Sequence, residues 1–418
     1  MGQYKDLLYI CSSMRKWLII GLLLWASFPL WAQTDTLRLG FSISGKVQDA
    51  ESGLPMESVH VSLPGRQIAT VTNADGFFQL KSDQEIATLD FSCLGYRTQH
   101  LQAREGMKVR LVRESLTLQE ALIVGGDPES IVLAAVENLK QSYCTEPELL
   151  ECFYRETVQK RKRFTYVAEA VARLYKAPYD GTVNGDGAAL EKSRVLVSQR
   201  LSDTLSVKTQ GGPSLAIYLD MAKNKDLLFN PHDLSLYRFQ MDYPVYIDNR
   251  LQFVIHLIPN VMADYALYNC TLYIDRESLA FTQIEASLDM SDKRKATNMM
   301  LVKKPLTLRF FPEEATVVMH YRLQDGKARL QYFRSTTRFS CDWRKRLFRT
   351  HYTTINELVV TDVRPEAVPI GRKESFYYDD ILSEKAGLFL DPDFWQDYNI
   401  IEPSESLEHA ISRLRKGR

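Results

Sequence analysis

Apolar residues that recur at every second position constrain this chain more than any other feature, because that spacing suits an extended strand with one buried face. The alternation comes in two blocks. Between Ser42 and Val112, six short β-type runs (43–47, 59–63, 68–72, 77–80, 89–93 and 109–112) are separated by turn residues, the pattern of a small sandwich. Asn73-Ala74-Asp75-Gly76 places Asn first and Gly last in four residues, which suits a type I turn. In the second block, 151 to about 362, Tyr166, Ala168, Ala170, Ala172 and Leu174 share one face, and Leu251, Phe253, Ile255 and Leu257 share another. Runs 317–323 and 328–333 flank Gln324-Asp325-Gly326-Lys327, and runs 272–275 and 279–284 flank Arg276-Glu277; both read as hairpins. One large antiparallel sheet is the economical reading. Residues 181–240 are obscure: Gly181, Gly185, Gly187, Gly211 and Gly212 suggest loops, and 215–221 a short helix.

Two helices interrupt the strands. Asp127 can cap, Pro128 fits the first helical position, and Glu129 favours the positive end. Ile131, Ala135, Leu139 and Tyr143, with Val132 and Val136 beside them, form one apolar stripe that Pro147 closes, so this helix is expected to pack on the larger β domain. A second helix begins near Ser404, with Glu405 and Glu408 early and Arg413, Arg415, Lys416 and Arg418 late, the order the helix dipole favours. The expected division is a leader and signal peptide at 1–32, a β-sandwich at 40–113, a linker at 114–128, a helix plus large antiparallel β domain at 129–380, and a helical tail at 381–418. The fold class is mainly β: a β-sandwich followed by a large antiparallel β domain, for which an open barrel is one form, with a few helices.

The 418 residues are 45% hydrophobic and 25% charged, an ordinary globular mixture. Arg15 and Lys16 precede an apolar run, 17–31, that ends in Leu30-Trp31-Ala32-Gln33. This is the plan of a secretory signal with cleavage after Ala32 and Met14 as the functional start. The run is shorter than the roughly 20 residues a bilayer needs, and Pro29 interrupts its end. The expected location is therefore the periplasm or the outer membrane, with no transmembrane helix in the mature chain. Lys plus Arg and Asp plus Glu both total 52; without residues 1–32 (Lys5, Arg15 and Lys16 against Asp6) 49 and 51 remain. A net charge near −2 gives no global pull toward nucleic acid. Cys11 precedes the apolar run and cannot carry a lipid anchor. Cys93, Cys144, Cys152, Cys270 and Cys341 remain in the mature chain, and a bridge between Cys144 and Cys152 is expected from their spacing.

Gly45-x-Val47-x-Asp49, Gly53-x-Pro55, Val59-x-Val61, Thr72-x-x-Asp75-Gly76-x-Phe78-x-Leu80 and Phe91-Ser92-Cys93-Leu94-Gly95-Tyr96 resemble the carboxypeptidase-like regulatory domain. That module is a transthyretin-like β-sandwich of exported proteins, and it is the accessory domain of carboxypeptidases, without their zinc. Ala69 stands where the family often carries Gly. Phe153-Tyr154-Arg155-Glu156, Leu272-Tyr273-Ile274-Asp275, Cys341-Asp342-Trp343 through Leu347-Phe348, and Phe394-Trp395 through Tyr398-Asn399-Ile400-Ile401-Glu402-Pro403 resemble the β-rich C-terminal part of exported regulatory-domain proteins. The strand-rich part is also similar to the unclosed barrels of lipoprotein-sorting chaperones, whose curved sheet holds acyl chains against a helix. The first resemblance implies no activity, and the second implies an apolar cavity without naming residues for it.

Catalytic patterns are missing from the sequence. His60, His100, His232, His256, His320, His351 and His409 supply neither H-E-x-x-H nor H-x-x-E, and a zinc peptidase needs three fixed ligands. There is no G-x-S-x-G, dinucleotide or Walker pattern. The stretch from Asp180 to Asp186 misses calcium-loop spacing and reads as a turn. Glu313-Glu314 and Asp379-Asp380 are chain neighbours expected to point apart. Arg344-Lys345-Arg346 beside Trp343 and Phe348 reads as a solvated strand end more readily than as a phosphate or lipid-headgroup site. The expectation is a non-enzymatic binding or assembly protein of the cell envelope, with no catalytic, metal or cofactor residues. Its partner would be an envelope protein, glycan or lipid. The competing expectations are an envelope hydrolase with a scattered site and an accessory component of outer-membrane uptake.

Overall fold

The structure, a computed structural model, describes residues 40–114, 126–200, 203, 207–343, 349–364, 367–385, 395 and 398–416. The export signal with Cys11, the connection 115–125, the run Arg344-Lys345-Arg346 with Phe348, Phe394 and Arg418 lie outside the described residues. From Gly40 onward the chain packs as one compact unit and is mainly β, with a large sheet that does not close. Among the described residues no helix is long and apolar enough to cross a membrane.

The sandwich forms from two small sheets. Strands β1 (Phe41–Asp49), β4 (Phe77–Ser82) and β7 (Met107–Leu111) make one in the order β4-β1-β7; β2 (His60–Ser62), β3 (Ala69–Val71), β5 (Thr88–Ser92) and β6 (Gln99–Gln102) make the other in the order β3-β2-β5-β6. Val47, Val61, Phe78, Leu80, Leu89, Phe91, Val109 and Leu111 fill the space between them. The expected turn is present: Gly76 N–H donates to Asn73 O at 2.9 Å, and Gly76 has φ +71°, a conformation glycine takes without strain. Strand β6 escapes a sequence reading because it has no fully buried position.

The second block forms one ten-stranded antiparallel sheet. Its strands are β8 (Glu148–Lys160), β9 (Arg163–Lys176), β10 (Gly187–Val197), β11 (Tyr237–Ile247), β12 (Arg250–Pro259), β13 (Tyr268–Asp275), β14 (Phe281–Leu288), β15 (Leu308–Gln324), β16 (Lys327–Trp343) and β17 (Thr350–Arg364). They lie in the order β10-β9-β8-β17-β16-β15-β14-β13-β12-β11. Both hairpins read from the sequence are there. Strand β10, inside the obscure stretch, was not legible because a bulge at Leu190/Lys192 breaks its period.

Helix α1 (Pro128–Glu137) is capped by Asp127, whose carboxylate accepts from Ser130 N–H. The expected continuous helix to Pro147 is corrected: it ends at Asn138 and resumes as α2 (Leu139–Ser142). Asn138 turns its amide to Ser278 O at 2.6 Å, the competition with helix that makes Asn a poor interior residue. The apolar stripe nonetheless reaches the sheet, where Val132, Ala135, Leu139 and Tyr143 are buried. The expected Cys144–Cys152 bridge is also corrected, since both thiols are free. Cys152 lies within extended β8 near Leu150 O, whereas Cys144 Sγ lies 3.8 Å from an Arg329 nitrogen.

The two faces of the large sheet have different covers. The outer face receives the sandwich and the C-terminal tail, which ends in α7 (Glu405–Lys416). The inner face receives α1, α2 and the segment 211–236, which holds only short turns such as α3 (Leu215–Tyr218) and α4 (Pro231–Leu234). It also receives 370–385, which ends in α6 (Leu382–Lys385). Helix α5 (Lys293–Met300) sits between β14 and β15.

Candidate functional site

The inner face carries the main concentration of apolar surface. Ile255 and Leu257 of β12, Val317, Met319 and Tyr321 of β15, and Ala168, Ala170 and Leu174 of β9 belong to one buried cluster, with Phe253 and Leu323 packed at its margin. These are the positions that the two-residue period assigns to a common face. The cover contributes Ala216, Ile217, Met221, Ala222, Leu228, Phe229 and Leu234, and 370–385 adds Phe376 and Leu382. Phe229 stacks on Phe281 at 4.7 Å. At the cover's start Gly212 lies against the Phe376 ring, where a Cβ would meet carbon at 2.7 Å; only glycine fits that approach.

Four buried charges latch this cover to the sheet. Lys176 ends β9 on the inner register of Ala168, Ala170 and Leu174. Its Nζ lies 2.7 Å from Asp186 Oδ2 and 2.8 Å from Asp220 Oδ2. Lys223 Nζ lies 2.5 Å from Asp186 Oδ1 and donates to Ala177 O. Tyr179 OH and Tyr321 OH donate to the two Asp220 oxygens at 2.9 and 2.7 Å. Asp220 and Lys223 belong to the cover, Lys176 and Tyr321 to the sheet, so the pairs cross the boundary. Burial lowers the Lys223 ammonium, and its neighbour Lys176 lowers it further. Burial opposes the charge of Lys176 too, yet Asp220 and Asp186 outweigh it and raise that group. The set is electrically neutral, the condition under which charges tolerate burial. Asp186, weighed above as part of a calcium-like loop, closes the 3-10 turn Val183–Gly185 and faces two ammonium groups.

A second polar centre lies along the inner register of β8. Glu156 is buried and accepts hydrogen bonds from Tyr154 OH and Thr209 Oγ1, both at 2.9 Å, and from Tyr166 OH. Asn356, directly opposite on β17, accepts from Tyr154 OH at 3.2 Å. Burial is the largest influence on Glu156 and raises its carboxyl above the ordinary range. Among the described residues no cation pairs with it.

On the outer face a third centre holds the tail. Glu169 lies between Arg155 and Arg194, with Arg155 Nε at 2.8 Å, and Arg155 also donates to Ile401 O at 2.6 Å. Burial opposes the Glu169 charge, but the two guanidiniums more than offset it and lower the carboxyl. Asn399 bonds both backbone groups of Lys81, at 2.7 and 3.0 Å. Thr70 and Asn73 donate to Ile400 O and Pro403 O.

The remaining sequence candidates are accounted for locally. Glu313 pairs with His351 and Glu314 with Arg338, so those acids point apart as expected. Asp380 pairs with Lys385, and His256 sits between Thr271 and Asp242. Among the described residues no three His, Cys, Asp or Glu gather as a metal site. Sequence reasoning missed Lys176, Asp220, Lys223 and Glu156. The available signal was a charged residue at an inward position of an alternating strand, as Lys176 and Glu156 both are.

Residues 43–123 match the CarboxypepD_reg-like domain. No curated protein matches the chain. Among solved structures, a protein described as an outer membrane lipoprotein-sorting protein domain from Vibrio parahaemolyticus is 13% identical with a TM-score of 0.28, covering 57% of this chain and 93% of its own. A DUF1329 family protein from Desulfovibrio piger is 11% identical with a TM-score of 0.25, covering 59% and 96%. A LolA superfamily protein from Nitrosomonas europaea is 12% identical with a TM-score of 0.19, covering 60% and 100%.

Proposed function

We propose that this chain is an exported, non-enzymatic binding or assembly protein of the cell envelope, and that its ligand is apolar and enters between the inner face of the open sheet and its cover. The observation that carries the reading is the construction of that cover. A wide apolar face is closed by segments whose helices α3 and α4 have four residues each, pinned by a localised ionic latch and not by strand pairing around a closed barrel. Such a cover can lift as a unit while the sheet keeps its hydrogen bonds. The sandwich and the tail occupy the opposite face and leave this one free to open.

An apolar fluorescent probe tests the proposal. Phe253, at the margin of the cluster, is the residue to change. If ligand enters here, the parent protein takes up the probe and Phe253→Ala alters uptake, while stability falls by clearly less than the 3 to 5 kcal/mol typical of a filled core. A full core-sized loss with no uptake by the parent removes the ligand reading. Mass spectrometry of protein isolated from its native envelope identifies the bound species, and sequencing of the mature N-terminus checks cleavage after Ala32. One observation favours a hydrolase instead: an enclosed lysine with a lowered pKa, Lys223, could serve as a base. Its ammonium donates to Asp186 and Ala177 O within the latch, and ester-hydrolysis assays that stay at background in both parent and Lys223→Met dispose of that reading.

A further inference from the structure

We propose that one end of the ten-stranded sheet is a docking surface for an anionic phospholipid bilayer. The strand pairings bring separate loops to that end. Tyr268 pairs with Leu288 and Leu308 with Trp343, so the β12–β13 loop and the β14–β15 connection emerge side by side. Tyr352 pairs with Lys160 and Lys160 with Arg163, which places the β8–β9 hairpin on the same rim.

These loops expose apolar side chains at their tips. Met262 is 99% exposed, Leu306 93% and Val302 80%, and Val261, Tyr265 and Met299 stand beside them. Single exposed apolar residues are ordinary, but six on two adjacent loops are a site in need of a partner. Basic residues surround them: Lys293, Arg294, Lys303 and Lys304 in the β14–β15 connection, and Arg161 and Lys162 at the hairpin, all exposed. Among the nearby acids Asp264 is exposed on the β12–β13 loop against the six basic residues, and the others have local duties. Asp292 caps α5 through Arg294 and Lys295 N–H, and Asp289 binds Ser291. The turns at the opposite end of the sheet carry Asp180, Asp248, Glu277 and Asp325 with Arg250, Arg276 and Lys327, so the excess of positive charge belongs to one end.

A bilayer fits this arrangement better than a protein partner does. Side chains at protruding tips sink into the acyl-headgroup boundary, while the lysines and arginines around them meet phosphate. The rim is also held rigidly, because Lys295 Nζ bonds Ala263 O at 2.5 Å and thereby ties α5 to the β12–β13 loop, and Ala296 packs with Ala266 and Leu288. The tips therefore approach a surface as a fixed set.

Flotation of the chain from Gln33, which keeps the whole compact unit from Gly40 to Arg418, is the experiment. It uses vesicles of phosphatidylcholine alone and of equal parts phosphatidylcholine and phosphatidylglycerol. The protein should float with the mixed vesicles, stay behind with the neutral ones, and release as salt is raised. Lys303→Glu/Lys304→Glu should weaken binding by at least tenfold, at about fivefold per basic residue lost. Met262→Ser/Leu306→Ser should weaken binding with no fall in melting temperature, since both side chains are in water. Background flotation of the parent overturns the proposal, including the case in which a protein occupies the rim. Unchanged flotation of both folded variants overturns it as well. The outcome is independent of the ligand reading, because a protein that floats but takes up no apolar probe keeps the rim and loses the cavity.

Discussion

Glu156 shows what a buried acid without a counter-charge does to a strand. Its carboxyl is raised from the ordinary 4.5, so the unfolded chain ionises it more readily than the folded one. The stability it contributes is complete below about pH 4.5 and is lost as pH rises through the folded value. Glu156→Gln should therefore leave stability at pH 7 unchanged or raise it by about 1 kcal/mol, with a flatter pH profile in urea denaturation; a loss of several kcal/mol would mean that the ionised form is favoured by its three hydroxyl donors. Asp220 is the opposite case. It is paired with Lys176 and bonded to Tyr179 and Tyr321, so Asp220→Asn leaves two buried ammonium groups sharing Asp186 with one positive charge in excess, and should cost about 3 to 5 kcal/mol. Glu156 lies where the two-residue period of β8 demands an apolar side chain, whereas Asp220 lies in a turn of the cover with no period to mark it, and partners of both come from distant segments.

At the scale of elements, legibility followed the distance over which the determinants act. The hairpins at Asp325-Gly326 and at Arg276-Glu277 are set by neighbouring residues, and they formed as read. Helix α1 began at its cap but broke early, because Asn138 answers to Ser278, 140 positions away. In the tail the helix after Ser404 was legible from its charge order and formed as read, but the extended run before it was legible only as a resemblance. Nothing in the run from Tyr398 to Pro403 says that it will lie between the sandwich and the outer face, where Val71, Phe153, Val359, Trp395, Ile400 and Ile401 form one cluster. Asn399 is the hinge of that placement, since its amide satisfies Lys81 N–H and C=O together. Asn399→Ala leaves both groups short of a partner and should cost about 1 to 3 kcal/mol. The loss should be local: protease cleavage within the tail should accelerate while hydrogen exchange in β12 to β15 stays slow. Uniform exchange across the large sheet would show that the tail is integral to the fold and not a strap upon it.

For the whole molecule, the decisive contact is the one between the sandwich and the outer face of the sheet, and its chemistry makes it sensitive to acid. His60 of β2 and His320 of β15 meet there with Arg322 and Gln331. Across the same boundary Asp90 lies 3.8 Å from Arg322; within the sandwich it lies 2.6 Å from His100, and within the sheet Tyr332 meets the His320 ring edge-on at 5.8 Å. Burial lowers the His320 imidazole to about 4. Burial lowers His60 as well, with Arg322 and His320 adding to the effect. Both are held neutral in the folded state and protonate more easily in the unfolded one. Their contribution is therefore intact above pH 6.5 and is lost as pH falls from 6.5 toward the folded values. At pH 4 the His320 shift alone amounts to about 3 kcal/mol. Melting temperature should fall steeply across that interval, and limited proteolysis should free the sandwich before the large sheet unfolds. His320→Phe, which keeps a ring edge-on to Tyr332, should flatten the decline without lowering stability at neutral pH by more than about 1.5 kcal/mol. A decline equally steep in that variant would assign the acid sensitivity to Glu169, whose carboxyl Arg155 and Arg194 lower, and would leave the histidine pair as neutral packing between the sandwich and the sheet.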